Sequence, residues 1–572
     1  MNRTLLITAL VLALAALVMP ARGYEVYTVT PAVSNWHIPA EGPLPPTCRA
    51  GSVLRLMACR GEAESASFLV DAPGPLQAVR VAVTGLSAFA PDLHLIQRVP
   101  MSNNIGTAPI PWVLVHDPGM LELVKQTPAW VQGLKEADWP EVNQKLVSLA
   151  DYKAAWSHTL YLRKPLRDAA TLLPVDIAQR EQFLLTVTVP ADAEAGIYRG
   201  TVTITPANAA ATVLPVELWV PDVDLKPAPY TYSIYHPTDH INPPLTDTQL
   251  LDDFTLMAAY GLDNPNMYAG PDQDEPGGEI KFTRLNRYMD LREKAGLPKG
   301  ALYLMDGAGL IIAPRPLTDA ERRRTTEVAA ATVAWARGRG YGPVYFMGAD
   351  EASGDLLTAQ RESWEAVRAG GARIFAAGYY DMEKLVGDLL GCMVIMHPDA
   401  LRADQNEQWQ FFTRDKLFAG ASPYFAKTML ADEFRDVIAK QHARGAKVFT
   451  YMDPVGGMPW PDSHRRLRGA GLWQSGLDGT MTWAWTHYRA AAITDDQVGQ
   501  ETGISYMGPV TRGPEASLVT LALVSYREGH DDARYIATVE AAGGGAWLRS
   551  LPWETGDLDV LRRQMVQWIL AH

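Results

Sequence analysis

From Tyr230 onward the chain keeps one rhythm, and no other feature limits its possible folds as strongly. Short β-prone runs recur at Tyr230 to His236, Asn264 to Tyr268, Ala301 to Asp306, Val344 to Glu351, Arg373 to Tyr380, Cys392 to His397, Lys447 to Asp453 and Gly479 to Trp485. Amphipathic stretches such as Thr248 to Tyr260, Leu285 to Ala295, Asp319 to Arg339, Leu356 to Ala369 and Ala431 to Arg444 separate them. Strands alternating with helices favour a parallel sheet, and eight such units are the count of a closed (β/α)8 barrel. No dinucleotide-binding glycine fingerprint follows the first run, which argues against an open doubly wound sheet.

The fourth run, Val344-Tyr345-Phe346-Met347-Gly348-Ala349-Asp350-Glu351, is apolar until it ends on two adjacent carboxylates. Barrel enzymes keep their chemistry at the C-terminal ends of the strands. Asp350 and Glu351 are therefore the candidate catalytic pair. The other strand ends deliver His236 and Asp239, Asn266 and Tyr268, Asp306, Tyr379 with Tyr380 and Asp381, His397, Tyr451 and Asp453, and Trp483 with Trp485 and Tyr488. Flat aromatic faces stack on the apolar faces of sugar rings while carboxylates bond hydroxyls, so this mixture suits a carbohydrate. The candidate substrate-binding set is His236, Tyr268, Asp306, Tyr379, His397, Tyr451, Asp453, Trp483 and Trp485. The bland reading of each aspartate is a cap on the next helix.

Before the rhythm begins, the pattern is all-β. Val81 to Val83, Phe183 to Val189, Thr201 to Ile204 and Val213 to Val220 are short β-prone runs broken by Pro and Gly, as in a β-sandwich. The stretch from Asn103 to Ala169 is rich in Trp and Pro and reads as a long excursion from that sandwich, a kind of segment that often carries function. Lys226-Pro227-Ala228-Pro229 reads as a stiff linker. The expected organisation is a leader at 1–23, a sandwich at 24–225, a linker at 226–229, a barrel at 230–505 and C-terminal helices packing on it at 506–572.

Arg3 followed by an apolar run from Leu5 to Val18 and then Met19-Pro20-Ala21-Arg22-Gly23 has the form of a secretory signal, cut after Gly23. The run is shorter than the ~20 residues a spanning helix needs, so a secreted or periplasmic protein without a membrane span is expected. A formal net charge of −13 gives no electrostatic reason to bind nucleic acid. Of three cysteines, Cys48 and Cys59 could close a disulfide in an oxidising compartment, and Cys392 lies in an apolar run. No zinc-ligand spacing and no phosphate-cradling glycine loop is present, so neither a metal nor another cofactor is expected.

Four stretches together resemble glycoside hydrolase family 123. They are Gly348-Ala349-Asp350-Glu351, the Glu-rich Cys59-Arg60-Gly61-Glu62-Ala63-Glu64-Ser65-Ala66-Ser67-Phe68, Gly479-Thr480-Met481-Thr482-Trp483-Ala484-Trp485, and Tyr526-Arg527-Glu528-Gly529-His530-Asp531-Asp532-Ala533-Arg534-Tyr535. The chain departs from that family's usual pattern at Ala352, where relatives often carry Pro. The resemblance implies a retaining β-N-acetylhexosaminidase, typically acting on N-acetylgalactosamine in an oligosaccharide or glycoconjugate, with Glu351 as acid/base and Asp350 as stabiliser. Chemistry agrees, because carboxylates adjacent in sequence cannot easily stand ~5 Å apart across a scissile bond, as a conventional retaining pair must. An attack by the substrate's own 2-acetamido oxygen needs only one acid/base and one stabilising carboxylate. Proximity of the two should help keep Glu351 protonated. Two other readings fit the residues: a conventional retaining glycosidase with Asp453 as the closest candidate nucleophile, and a carbohydrate-binding relative without turnover.

Overall fold

The structure, a computed structural model, describes residues 23–32, 38–103, 106–124, 168–238, 244–305, 310–379, 381–395, 432–451, 461–485, 508–512, 516–553 and 555–572, with short pieces between 133 and 162 and at 498–500. The leader lies outside the described residues.

Two mostly antiparallel sheets form the N-terminal part. One has six strands, among them Glu25–Val29, Ala63–Asp71, Arg180–Thr188, Asp92–Asn103 and Gly106–Val115; the other has five, among them Leu76–Thr84, Gly196–Thr205 and Thr212–Val220. Alternation along these strands sends Phe68, Phe183 and Leu185 from the first sheet and Leu56, Val202 and Leu218 from the second into one hydrophobic cluster. Two further pieces, Leu121–Val124 and Thr159–Leu162, pair with each other, and the latter also pairs with Val498–Gln500, which follows the last barrel strand in sequence. The excursion thus reaches across to the barrel's own loops.

A closed barrel of eight parallel strands follows. Its strands are Thr231–His236, Asn266–Met267, Leu302–Leu304, Val344–Met347, Arg373–Gly378, Leu390–Ile395, Lys447–Thr450 and Gly479–Thr482. Closure joins the first strand to the eighth, with Thr231 opposite Gly479 and Ile234 opposite Thr482. A Cβ at Gly479 would lie 2.0 Å from the Thr231 carbonyl oxygen, so this seam requires glycine. Helices separate the strands, including Asp247–Ala259, Thr283–Lys294, Asp319–Gly338, Arg361–Ala369 and Asp432–Ala443. Two of them start at capping boxes legible in the sequence, Thr246 with Gln249 and Thr318 with Glu321.

Parity sorts the barrel side chains. Tyr235, Tyr303, Tyr345, Phe375, Cys392 and Phe449 share the interior cluster, whereas Tyr232, Ile234, Leu302, Phe346 and Ile374 belong to the surrounding core. The interior is packed: Tyr303 and Tyr345 stack at 4.7 Å, and Phe375 meets Tyr303 edge-on at 5.5 Å.

The C-terminal helix Leu521–Ala541 is buried nearly all round. Glu528, Asp531, Asp532 and Tyr535 fall at helical spacing along it, and this pattern, together with the Glu-rich strand, assembles an ionic junction between the sheets and the C-terminal helices. Arg562 donates to Glu64 at 2.7 Å, Glu528 at 2.8 Å and Asp532 at 2.7 Å. Arg465 pairs with Asp532, Arg534 with Glu62, and Tyr535 donates to Glu62 at 2.7 Å. Burial pushes Glu62 up to about 7, helped by the charge of Asp531. The cysteines are free, so the possible disulfide is not formed. Cys59 instead faces Tyr535, whose hydroxyl lies 3.4 Å from its sulfur, and burial pushes its thiol up to about 12.

Candidate active site

The fourth barrel strand ends irregularly, and the irregularity explains how neighbouring carboxylates share one rim. In a regular strand Asp350 and Glu351 would point to opposite faces. Here the Gly348 amide donates to Phe375 O at 2.8 Å and the Glu351 amide to Ala377 O at 2.9 Å. Three residues on the fourth strand thus span two on the fifth, which is a one-residue bulge. Gln360 holds the intervening turn by accepting from the Ala349 amide at 2.8 Å. Glu351 takes a left-handed φ of +48°, a conformation that costs a residue other than glycine about 1–2 kcal/mol. Gly348 is required where the chain passes Trp364, since a Cβ there would sit 2.5 Å from the indole.

Across the mouth, the Tyr451 hydroxyl at the end of the seventh strand donates to Glu351 Oε1 at 2.8 Å. Burial raises the Tyr451 phenol far above its ordinary range, and the bond to Glu351 adds to this, so it remains a neutral donor. Burial of its carboxyl and then the charge of Glu351 lift Asp350 to about 6. The upward shift at the pair therefore falls on Asp350. Tyr379, partly buried beside the interior cluster, has its phenol raised by burial and then by the charges of Glu351 and Asp350. Among the described residues neither carboxylate of the pair has a salt bridge.

An aromatic wall completes the described part of the mouth. Trp483 lies 5.4 Å from Tyr235 and 6.2 Å from Tyr268, ring centre to ring centre, and the two tyrosines are 6.4 Å apart. Trp483 stays partly open, whereas Tyr268 is 8% exposed.

Two expected substrate contacts face elsewhere. His236 is fully buried, with Nε2 3.1 Å from Asp253 on the helix Asp247–Ala259, and its ring meets Phe254 edge-on. It belongs to the outward parity of its strand, so the inward residue is its neighbour Tyr235, which strict period-two reading would have found. Trp485 is also fully buried, in the surrounding core rather than the interior cluster. The strand stops at Thr482, so alternation no longer binds Trp483 and Trp485 to one face. Asn266 accepts from the His236 amide at 3.2 Å, and Asp381 accepts from the Gly354 amide at 3.1 Å, both structural roles. Asp306, His397 and Asp453, with Asp239, Tyr380 and Tyr488, lie outside the described residues.

A cavity of about 160 Å³ lies far from the mouth, between the first strands and the last helix. Its charged lining includes Glu64 and Arg562, which neutralise each other.

No family model and no curated protein matches the chain. Among solved structures, it is similar to a family 123 glycoside hydrolase from Clostridium perfringens, at 10% identity and a TM-score of 0.59 over 93% of this chain and 92% of that one. A family 39 glycoside hydrolase from Bacteroides cellulosilyticus aligns at 12% identity and a TM-score of 0.37, over 65% of this chain and 76% of that one. The expected likeness to family 123 is thus met in the fold: the chain shares the architecture of a family 123 glycoside hydrolase over nearly its whole length.

Proposed function

We propose that the chain is a retaining glycoside hydrolase that removes β-linked N-acetylhexosamine, of the galacto configuration, with the substrate's 2-acetamido oxygen as nucleophile. In this reading the N-terminal sheets are a sandwich bracing a (β/α)8 barrel, and the exported enzyme acts on an oligosaccharide or glycoconjugate. The Clostridium perfringens structure concerns glycolipid glycan hydrolysis, which makes a glycolipid glycan a fitting substrate class. One observation carries the reading: Asp350 and Glu351 leave the fourth strand on a bulge, without cationic partners among the described residues, while Tyr451 holds Glu351.

Glu351 gives its proton to the glycosidic oxygen as the bond from C1 breaks, and the acetamido carbonyl oxygen closes on C1 from the opposite face. The resulting oxazolinium carries positive charge, which an ionised Asp350 offsets by accepting the acetamido N–H. That hydrogen bond favours the anionic form of Asp350, against the burial and the charge of Glu351 that raise it to about 6. The sugar therefore draws the proton balance of the pair toward Glu351, where catalysis needs it. Glu351 then deprotonates a water that opens the ring, and the configuration at C1 is retained. Trp483 and Tyr268 offer the apolar wall for the pyranose face.

A panel of nitrophenyl β-glycosides tests the proposal. Hydrolysis confined to the N-acetylgalactosaminide and N-acetylglucosaminide, the former faster, is expected. Comparable cleavage of the plain galactoside would replace substrate assistance with a separate nucleophile, and a chain that cleaves none of them is a binder.

A further inference from the structure

The neck of the excursion gathers four side chains that the proposed catalysis does not use. Asp92 and His94 sit two apart on the strand Asp92–Asn103 and so share a face. The neighbouring strand ends with Val115 opposite Leu95, and the next rung sets His116 across from His94. The two imidazoles stack at 4.0 Å with an interplanar angle of 26°. One ligand atom from each of Asp92, His94 and His116 lies within 4.8 Å of the others.

We propose that Asp92, His94 and His116 form a zinc site, with Asp168 orienting His116. Zinc favours imidazole and carboxylate donors in a tetrahedron, whose ligand atoms stand about 3.3 Å apart when the bonds are about 2.0–2.1 Å. The observed separations straddle that value: Asp92 Oδ1 is 2.8 Å from His116 Nε2, and Asp92 Oδ2 is 3.7 Å from His94 Nε2. The other nitrogen of His116, Nδ1, is 3.4 Å from Asp168 Oδ2, the carboxylate–histidine arrangement that fixes the tautomer of a ligating ring. Asp168 is itself pinned by the amides of His116 at 2.7 Å, Asp117 at 2.8 Å and Ala169 at 2.9 Å.

His94 supplies the second, independent pointer. Its Nδ1 is buried with no hydrogen-bond partner among the described residues, and its Nε2 is too far from Asp92 for a hydrogen bond. At that distance Nε2 keeps its lone pair for an ion lying between the ring and Asp92. Zinc would take the place of the proton that the close His116–Asp92 contact requires, releasing it to solvent. The half-exposed Asp92 leaves the fourth position open to water. Because the chain leaves the sheet at His116 and returns at Asp168, the ion would clamp the neck of the segment whose hairpin pairs with Val498–Gln500.

The test uses the mature chain without a histidine tag, stripped with chelator, reloaded with zinc and dialysed. One zinc per chain by elemental analysis, with a rise in Tm on reloading, is expected. Asp168→Asn, which keeps all three ligands but loosens their orientation, should weaken zinc affinity about 10–100-fold. His94→Ala and Asp92→Asn should retain almost no zinc and show no zinc-dependent rise in Tm. Should His94→Ala fail to fold, Asp92→Asn alone decides, since its half-exposed side chain leaves the chelated protein comparable with chelated wild type. No zinc above buffer level in wild type, or equal zinc in wild type and the ligand variants, overturns the site.

Discussion

Among the described residues, the junction at the last helices and the barrel mouth both gather carboxylates, and they differ in what faces them. At the junction between the N-terminal sheets and the last helices, Glu64, Glu528 and Asp532 all meet Arg562, and Asp532 also meets Arg465. At the barrel mouth, Asp350 faces Glu351, and Glu351 has a neutral tyrosine. A carboxylate cluster with cations inside it is a joint; one without them, at the open end of strands, is poised to move a proton. Both clusters belong to the stretches that carry the family resemblance, so resemblance alone does not separate joint from chemistry. Geometry does.

Substitutions can break this contrast. The largest effect is expected from Glu351→Gln, which removes the proton donor and should lower kcat on a glycan with a poor leaving group by about 10²–10⁴-fold. Its Tm should stay near that of wild type, and unchanged turnover would take Glu351 out of the mechanism. Arg562→Met should do the reverse. Leaving Glu64, Glu528 and Asp532 without their shared cation should cost about 3–5 kcal/mol in urea unfolding, while the protein that remains folded keeps its kcat. A stability close to wild type would mean the junction is held by its apolar contacts alone.

Tyr451→Phe sharpens the contrast from within the mouth. A hydrogen bond to a charged group is worth about 1.5–3 kcal/mol, so kcat/KM should fall about 10–100-fold. Because the tyrosine positions Glu351, the loss should appear in kcat more than in KM, with little change in Tm. The smallest effect is one of pH. Asp350 must be ionised to meet the acetamido group, and burial with the charge of Glu351 holds it at about 6. The acid limb of kcat/KM should therefore rise through pH about 6 and level off above it. Asp350→Asn should lose that limb, and a limb that persists there belongs to another group.

Much of this was legible in the sequence because barrels announce themselves by rhythm. All eight expected strand positions hold barrel strands, though most end sooner than the apolar runs do, and the bulge after Met347 is where that shortening matters. What failed was parity at strand ends. Type and position mark His236 and Trp485 as rim residues, but one falls on the outward face and the other lies past the strand's last paired residue. The Asp92–His94–His116 cluster stayed hidden for a different reason. Its members come from two strands whose cross-strand register, and not their spacing in sequence, brings them together.

Binding of a thiazoline mimic of the cyclised intermediate tests the central claim most directly, by calorimetry on wild type and Asp350→Asn. The account predicts tight binding to wild type, weakened by about 10²–10³-fold in the variant, which keeps its shape but cannot offset the intermediate's charge. Equal affinity for both proteins, or no binding to a wild-type enzyme that hydrolyses N-acetylhexosaminides, would contradict it.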